Sequence, residues 1–122
     1  MTNQDDPPDS LLALRALLAT RSTRRGQFTL ASGRISTLYI DARLTTMSPD
    51  GLALIGPLGL REMRHAGWRV DSVGGLTLGA DPIAYAISYA SALDGKTLVR
   101  AFTVREEAKT HGTGNLIEGP FA

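Results

Sequence analysis

The apolar residues near the start of the chain recur with a helical period and predict a first helix. The leucines that would share one face of this helix are Leu11, Leu14, Leu17 and Leu18. Ser10 can cap the amino terminus with its hydroxyl group, and the polar run from Arg21 onward indicates an end near Thr20. Residues 1–9 are acidic and contain two adjacent prolines, so they predict a disordered tail.

Two short stretches with β character follow and predict a hairpin. They are residues 27–30 and residues 37–44, and the turn residues Ser32 and Gly33 lie between them. In the second stretch, three apolar residues alternate with three polar or aromatic ones: Leu38, Ile40 and Ala42 alternate with Tyr39, Asp41 and Arg43. One face of this strand is therefore expected to be apolar and the other to carry reactive or binding groups.

A second helix is predicted to begin at Ser48 and Pro49 and to run towards Gly67. A hydroxyl cap followed by proline is a favourable helix start. Three residues that disfavour a regular helix lie in the interior: Gly56, Pro57 and Gly59. We expect them to kink or divide the helix.

The remaining pattern predicts a strand–helix–strand unit. Residues 70–74 are predicted to form a short strand, residues 74–79 a glycine-rich loop, and Asp81 with Pro82 opens a helix. A second apolar strand covers residues 98–104, so the two strands should be parallel with a right-handed crossover. That second strand would lack a neighbour on one side, unless the hairpin or a partner chain covers it. Residues 105–119 show neither helical nor strand periodicity and are expected to form a long mobile loop.

Composition narrows the function classes. Apolar residues make up 43% of the chain and charged residues 20%, which is typical of a soluble globular domain. The net charge of +1 argues against nucleic acid as the main partner, because binding to the phosphate backbone usually requires a clear basic excess. The chain has no cysteine, which excludes disulfides and thiolate metal sites and favours a cytoplasmic location. The acidic start is unlike a secretory leader, and no apolar run approaches the roughly 18 residues of a membrane span.

The glycine-rich loop is the first candidate site. It lies between a strand and a helix start, where backbone amides and the helix dipole favour an anion. Its glycine spacing matches neither a Walker loop nor a dinucleotide-binding motif. A tight turn that only allows the helix to pack on the strand is an equally good interpretation of this loop.

Two further segments carry candidate chemistry. Lys109 and His111 lie two residues apart after Arg105, and such groups on a loop suit a reaction that releases a polyanion. A solvated surface loop is the alternative. The hairpin, with Phe28 and Arg34, could cover a planar anionic ligand, although purely structural hairpins look the same.

Two isolated residues have simpler interpretations. His65 has no second ligand at metal-binding spacing and is expected at the surface, and no metal-ligand set is predicted from the protein. Trp68 is expected in the core or at its rim.

Three motifs in order resemble those of the orotate phosphoribosyltransferases. The hairpin motif is Phe28-Thr29-Leu30-x-Ser32-Gly33-Arg34-x-Ser36, followed by Tyr39-Ile40-Asp41. The loop motif is Gly74-Gly75-Leu76-Thr77-Leu78-Gly79-Ala80-Asp81-Pro82-Ile83. The third is Arg105-x-Glu107-Ala108-Lys109-x-His111-Gly112-x-Gly114, followed by Ile117-Glu118-Gly119.

This resemblance implies an α/β fold with an incomplete phosphoribosyltransferase-type (Rossmann-like) parallel sheet, an amino-terminal helix and a β-hairpin hood. Its parts would be a hood over about residues 10–47, a βαβ core over about residues 48–104 and a catalytic loop over residues 105–119. Together they form a partial phosphoribosyltransferase domain over residues 10–122.

The resemblance also implies a reaction, in which orotate and 5-phosphoribosyl 1-pyrophosphate give orotidine 5′-monophosphate and pyrophosphate. Lys109 and His111 would be the catalytic residues that stabilise the departing pyrophosphate. The substrate-binding residues would be Arg105 and Glu106 in the loop, Gly75, Thr77, Leu78 and Gly79 at the pyrophosphate, and Tyr39 and Ile40 at the orotate. Mg²⁺ would arrive with the pyrophosphate group, and the loop would be shared across a homodimer.

Departures from the family pattern temper this expectation. Ala31 and Leu78 stand where many relatives carry lysine, and Glu106 replaces a frequent lysine. No segment matches the family's apolar strand that ends in two acidic residues before a Thr/Gly-rich loop, and the downstream arginine for the orotate carboxylate is also absent. We therefore expect little turnover from these 122 residues alone. A non-catalytic binding or regulatory protein on the same scaffold, and a fragment without function, remain alternatives.

Overall fold

The computed structural model of the chain describes residues 8–107 and 115–120. The helices are α1 (Asp9–Leu17), a π-helical segment (Leu18–Ser22), α2 (Arg43–Thr46), α3 (Pro49–His65) and α4 (Asp81–Asp94). The strands are β1 (Thr23–Thr29), β2 (Ile35–Ile40), β3 (Ser72–Leu76), β4 (Arg100–Val104) and β5 (Ile117–Glu118). The predicted α/β class is confirmed. Residues 1–7 of the predicted tail lie outside the described residues.

The first helical segment differs from the prediction at both ends. It begins at Asp9, with Pro8 in the N-cap position, so Ser10 is not the cap. The chain then stays helical through the π-helical segment to Ser22, two residues beyond the predicted end. Ser22 is 1% exposed, and its hydroxyl lies 2.7 Å from that of Thr45. This hydrogen bond holds the end of the helical segment against α2, and a local sequence pattern cannot reveal it because the two residues are 23 positions apart.

The hairpin is present, but its strands are displaced from the predicted ranges. β1 pairs antiparallel with β2, from Thr23 opposite Ile40 to Thr29 opposite Ile35. β1 already starts at Thr23, within the polar run that follows the helix. The backbone of this run pairs with β2, and such pairing does not require an apolar side-chain pattern. β2 ends at Ile40 rather than at residue 44, because the chain turns into α2 at Arg43.

Helix α3 runs without a break, so its predicted division is wrong. Pro57 removes only the hydrogen bond to the carbonyl of Ala53, an exposed residue whose carbonyl can be hydrated. Gly56 and Gly59 are contact points with α4. A Cβ atom on Gly56 would lie 2.5 Å from the carbonyl oxygen of Ala86, and one on Gly59 would lie 2.6 Å from the Ile87 side chain. The glycines therefore allow two helices to pack closely.

The strand–helix–strand unit is confirmed, but both strands start two residues late. β3 also extends to Leu76, so residues 74–76 of the predicted glycine-rich loop belong to the strand and the loop itself is residues 77–80. β3 pairs parallel with β4, from Ser72 opposite Arg100 to Leu76 opposite Val104, and α4 connects them. β5 pairs antiparallel with β4 on its other side. β4 thus has two neighbours, and the expectation that residues 105–119 contain no strand is wrong at β5.

A small core lies between α3, α4 and the β3–β4 pair. Its buried side chains are Leu60, Ile87, Ala90 and Val99, with Met63, Val70 and Val73 packed against them. His65 is exposed, as predicted, whereas Trp68 is 69% exposed and belongs to the rim rather than to the core. Within the described ranges, no helix is both long and apolar enough to cross a bilayer.

Candidate functional site: the glycine-rich loop and its surroundings

The glycine-rich loop leaves the carboxyl end of β3 and enters α4 within four residues. Its first amide, of Thr77, donates to the carbonyl of Val104 at 2.8 Å, which ties the loop to the end of β4. The amide of Ala80 donates to the carbonyl of Leu76 at 3.2 Å, and the Thr77–Leu78 peptide is cis. The intervening amides of Leu78 and Gly79 find no acceptor among residues 8–107 and 115–120. Two N–H groups are thus available to a ligand beside the start of a helix.

The glycines of this loop differ in what the fold demands of them. Gly75 lies near the end of β3, and a Cβ atom on it would lie 2.8 Å from that of Ala80, so the close approach of this strand to the start of α4 requires a glycine there. Gly79 is different. Its φ is not in the left-handed region, and a Cβ atom would meet nothing within 4 Å. The fold therefore does not require glycine at position 79, and the backbone there is open to a ligand.

Asp81, the first residue of α4, is the polar centre beneath the loop. It is 9% exposed, and its two carboxylate oxygens accept hydrogen bonds from two threonines. Thr77 Oγ1 lies 2.6 Å from Oδ2, and Thr103 Oγ1 lies 2.8 Å from Oδ1. The hydroxyl of Tyr85 lies 2.9 Å from Thr103 Oγ1 and extends the chain of hydrogen bonds. Sequence reasoning treated Asp81 only as a helix opener, because both hydroxyl partners depend on tertiary structure.

The segment that carries Lys109 and His111 has a well-defined stem. The amide of Arg105 donates to the carbonyl of Leu116 at 2.8 Å, just beyond the pairing of β4 with β5. Arg105 Nε lies 3.3 Å from Glu118 Oε1, in a pair whose side chains are 37% and 36% exposed. The terminal nitrogens of Arg105 contact no acceptor in the described part of the chain. Arg105 is therefore oriented at the stem and still offers donors.

The two predicted catalytic residues, Lys109 and His111, lie outside the described residues, which end at Glu107 and resume at residue 115. Glu106 is described and exposed. The two ends of the predicted catalytic loop therefore lie at one corner of the sheet. They are next to Val104, whose carbonyl accepts the backbone hydrogen bond of Thr77.

The hairpin exposes the residues that the sequence assigned to a ligand. Tyr39 is 43% exposed and Ile40 58% exposed, and the ring of Phe28 lies 5.5 Å from that of Tyr39. Its base is anchored, because the amide of Asp41 donates to the carbonyl of Ser22 at 2.8 Å. The hairpin thus presents an apolar and aromatic surface from a fixed base.

A shallow, open surface depression of about 420 Å³ lies between the end of the hairpin and the glycine-rich loop. It is lined by Asp41, Arg43, Leu44, Met47, Ser48 and Leu78. Leu78 is the member from the loop, whereas Tyr39 and Ile40 are not part of this lining. The sequence placed Arg43 on the polar face of the second hairpin stretch and Ser48 at a helix start, but it brought neither residue together with Leu78 and gave no role to Met47. The lining forms around α2, a single turn that the alternation of residues 37–44 concealed.

Comparisons with known proteins identify homologues of this arrangement. No family model matches the chain. The orotate phosphoribosyltransferase of Synechocystis is 48% identical over 104 residues, which cover 85% of this chain and 50% of that protein. The orotate phosphoribosyltransferase of Rhodopirellula baltica is 38% identical over 122 residues, covering 97% and 63% of the two chains. The chain thus spans about half to three-fifths of the length of these curated relatives.

A solved structure agrees with the sequence comparison. The orotate phosphoribosyltransferase of Mycobacterium tuberculosis in complex with 5-phospho-α-D-ribosyl 1-diphosphate superposes with a TM-score of 0.71 at 38% identity. The match covers 93% of this chain and 58% of that one. The α/β arrangement is accordingly that of the phosphoribosyltransferases.

Proposed function

We propose that this chain, whose homologues in sequence and structure are orotate phosphoribosyltransferases, forms the pyrophosphate-binding part of such an enzyme. The reaction would join orotate to the ribose of 5-phosphoribosyl 1-pyrophosphate and release pyrophosphate, a step of pyrimidine biosynthesis. Because the chain spans little more than half of its relatives, the remainder of the substrate site would come from sequence that these 122 residues do not contain.

The observation that carries this proposal is the exposed backbone at Gly79. The fold leaves its surroundings open and leaves its amide without an acceptor among the described residues. Such an arrangement at the start of a helix favours a ligand with several negatively charged oxygens. The homologue from M. tuberculosis binds a pyrophosphate-bearing donor, which is a ligand of this kind.

The roles of the loop residues follow from the hydrogen bonds that they already make. Thr77 donates its hydroxyl proton to Asp81, so the ligand would be held by the amides of Leu78 and Gly79 rather than by that hydroxyl. Gly75 permits the close approach of β3 to Ala80, the last residue before α4. Leu78 adds an apolar contact, since it also lines the depression next to the hairpin.

The segment between β4 and β5 would supply the positive charge. Arg105, held by Glu118, would direct its terminal nitrogens at phosphate oxygens, and the neighbouring Glu106 would contact the substrate as well. Lys109 and His111 would neutralise pyrophosphate as the bond to the sugar breaks and negative charge accumulates on it. Closure of this segment would exclude water from the reacting carbon.

The hairpin would cover the orotate ring. Tyr39 and Ile40 are exposed on a strand whose base is fixed, so they can make apolar contact with a planar ligand without reorganising the core. Orotate is flat, which suits contact with the exposed ring of Tyr39.

Magnesium would be bound chiefly by the substrate. Among the described residues, no group of three or more His, Cys, Asp or Glu side chains could hold a metal ion. The amides of Leu78 and Gly79 fit phosphate oxygens, so Mg²⁺ would accompany the pyrophosphate group and offset its charge. We further propose a homodimer that shares the segment 105–119 between subunits, and a cytoplasmic location.

A titration of the 122-residue chain with inorganic pyrophosphate tests this proposal. In ¹H–¹⁵N correlation spectra we expect the amide signals of Leu78 and Gly79 to shift most, and the shifts to saturate at millimolar concentration or below. Sulfate at matched ionic strength is the control for nonspecific anion binding. Shifts of equal size with both anions, or shifts elsewhere, would remove the loop from the proposal.

A turnover assay with orotate and 5-phosphoribosyl 1-pyrophosphate compares the activity of the 122-residue chain with that of its longer homologues. We expect residues 1–122 to bind pyrophosphate but to convert orotate at a negligible rate, because no segment among them matches the acidic ribose-binding motif. Rates typical of enzymes, about 1–10³ per second, would show that these residues hold a complete site.

A further inference from the structure

The carboxylate of Asp81 joins three parts of the molecule that meet at the proposed pyrophosphate site. It belongs to α4, it accepts a hydrogen bond of 2.6 Å from Thr77 in the loop, and it accepts one of 2.8 Å from Thr103 in β4. We propose that Asp81 is a positioning residue, which holds the loop in its anion-binding shape and couples it to the stem of the segment 105–119. This inference rests on the proposed function and deepens it.

The direction of each hydrogen bond follows from the available protons. An ionised carboxylate only accepts, so Thr77 and Thr103 must both donate their single hydroxyl proton to Asp81. Thr103 Oγ1 can then only accept from the hydroxyl of Tyr85, 2.9 Å away. The chain of donors therefore runs from Tyr85 to Thr103 to Asp81, and it leaves the ligand to the backbone amides of the loop.

The coupling to the stem has two parallel connections. Through its side chain, the loop residue Thr77 reaches β4 by way of Asp81 and Thr103. Through its backbone, the amide of Thr77 reaches the carbonyl of Val104. Arg105 follows immediately, so a displacement of this stem changes the position of the loop unless both connections break. Asp81 supports one of the two.

Electrostatic repulsion and a positioning role predict opposite effects of removing the Asp81 charge on pyrophosphate affinity, so an experiment can distinguish them. A negative charge beneath an anion site repels the ligand, so its removal should tighten binding if Asp81 is only a neighbouring charge. If Asp81 positions the loop, its removal should weaken binding despite the gain in charge balance. Asp81→Asn keeps the shape of the side chain but replaces one acceptor oxygen by an N–H donor. One threonine hydroxyl can then only accept from the side chain, and the hydrogen bonds lose their charged acceptor.

The test measures the dissociation constant of inorganic pyrophosphate for the 122-residue chain by calorimetry. We expect Asp81→Asn to weaken binding about tenfold, the effect of losing one hydrogen bond to a charged group. The matched control is Asp94→Asn, which removes a carboxylate, together with its ion pair to Arg64, from the opposite end of the same helix, about 20 Å away. Binding to the control should stay within twofold of wild type.

Threonine variants keep the inference testable if Asp81→Asn does not fold. Thr77→Val removes the hydroxyl without any change in charge and should weaken binding about tenfold, whereas Thr77→Ser retains the donor and should restore it. Thr97→Val, an exposed threonine before the opposite end of β4, is the control. Equal affinity of the valine and serine variants at position 77 would overturn the inference.

A measurement without ligand separates this inference from the proposed function. Amide hydrogen exchange reports on the hydrogen bonds of Thr77 and Ala80, which close the loop. We expect faster exchange at both amides in Asp81→Asn and no change in Asp94→Asn. If the wild type fails to bind pyrophosphate, the proposed function is wrong, and this exchange difference still decides whether Asp81 orders the loop. Unchanged exchange in Asp81→Asn, or tighter binding to it, would overturn the inference.

Discussion

Arg21 and Asp50 form a two-point ion pair, in which each terminal guanidinium nitrogen lies 2.6 Å from a different carboxylate oxygen. The pair joins the π-helical segment to the first turn of α3. It connects the part of the chain that leads into the hairpin with the helix that packs on α4. Ser48, the N-cap of α3, also accepts a hydrogen bond from Arg21, at 3.3 Å. The position of the hairpin base relative to the core thus depends on contacts about thirty residues apart in sequence.

The first prediction concerns the pH dependence of this ion pair. Hydrogen bonds from Arg21 hold the pKa of the Asp50 carboxyl well below its usual range. A lowered pKa in the folded state stabilises the fold above the unfolded value of about 3.9, and this contribution is lost as the pH falls through the folded pKa. Asp50→Asn should therefore lower Tm at pH 7, and its difference from wild type should shrink as the pH falls below about 4.

Thermal unfolding between pH 7 and pH 2 measures this effect. Asp71→Asn is the matched control, because Asp71 is exposed and forms no ion pair within the described ranges. A difference between wild type and Asp50→Asn that stays constant over the whole pH range would contradict the prediction.

The second prediction concerns the close packing of α3 and α4. In Gly56→Ala the new methyl group would lie 2.5 Å from the carbonyl oxygen of Ala86 and 3.0 Å from the Cβ atom of Ala90. The helices must separate to admit it. We expect a loss of about 1–3 kcal/mol in the free energy of unfolding, although alanine is the better helix former. Urea unfolding measures this loss, and a stabilised Gly56→Ala variant would show that the helices tolerate separation.

The third prediction concerns Gly79. A methyl group at this position meets no protein atom within 4 Å, so Gly79→Ala should change the free energy of unfolding by less than about 0.5 kcal/mol. The same methyl group would stand where pyrophosphate is proposed to approach the backbone. We expect its dissociation constant to rise tenfold or more. Undiminished binding to a folded Gly79→Ala variant would show that the ligand does not contact this backbone.

Gly75→Ala is the comparison for that experiment. Its Cβ atom would lie 2.8 Å from that of Ala80, so this substitution should disturb the loop itself and lower both stability and affinity. The pair of variants distinguishes a glycine that the fold requires from one that only the ligand requires.

The fourth prediction concerns Lys109, which lies in the segment between β4 and β5. In a longer polypeptide that also carries the acidic ribose-binding motif, Lys109→Ala should lower kcat by about 10²–10³ and leave the fold intact, because the lysine would stabilise charge on the departing pyrophosphate. Lys96→Ala removes the same charge from the turn after α4 and should leave kcat unchanged. An unaltered kcat in Lys109→Ala would exclude this lysine from the mechanism.

Local sequence patterns predicted the strand–loop–helix unit well. An apolar strand, a glycine-rich loop and an Asp-Pro helix start are short-range signals, and the structure contains β3, the loop and α4 in that order. The carboxyl ends of parallel strands lie at one edge of a sheet, so the candidate anion site was also accessible from sequence. The motifs that resemble orotate phosphoribosyltransferases agree with the homologues found by comparison.

Several other features depend on partners that are distant in sequence. Gly56 and Gly59 look like helix breakers until α4 is placed against them, and the strand character of β1 and β5 exists only because β2 and β4 pair with them. Asp81 looks like an ordinary first residue of a helix until Thr103, 22 residues away, reaches its carboxylate. The sequence by itself determined the class of fold and the place of the loop, because backbone conformation there is set by neighbouring residues. Tertiary structure decided which glycines are contacts and which carboxylate supports the loop, because these roles arise only when separate elements meet.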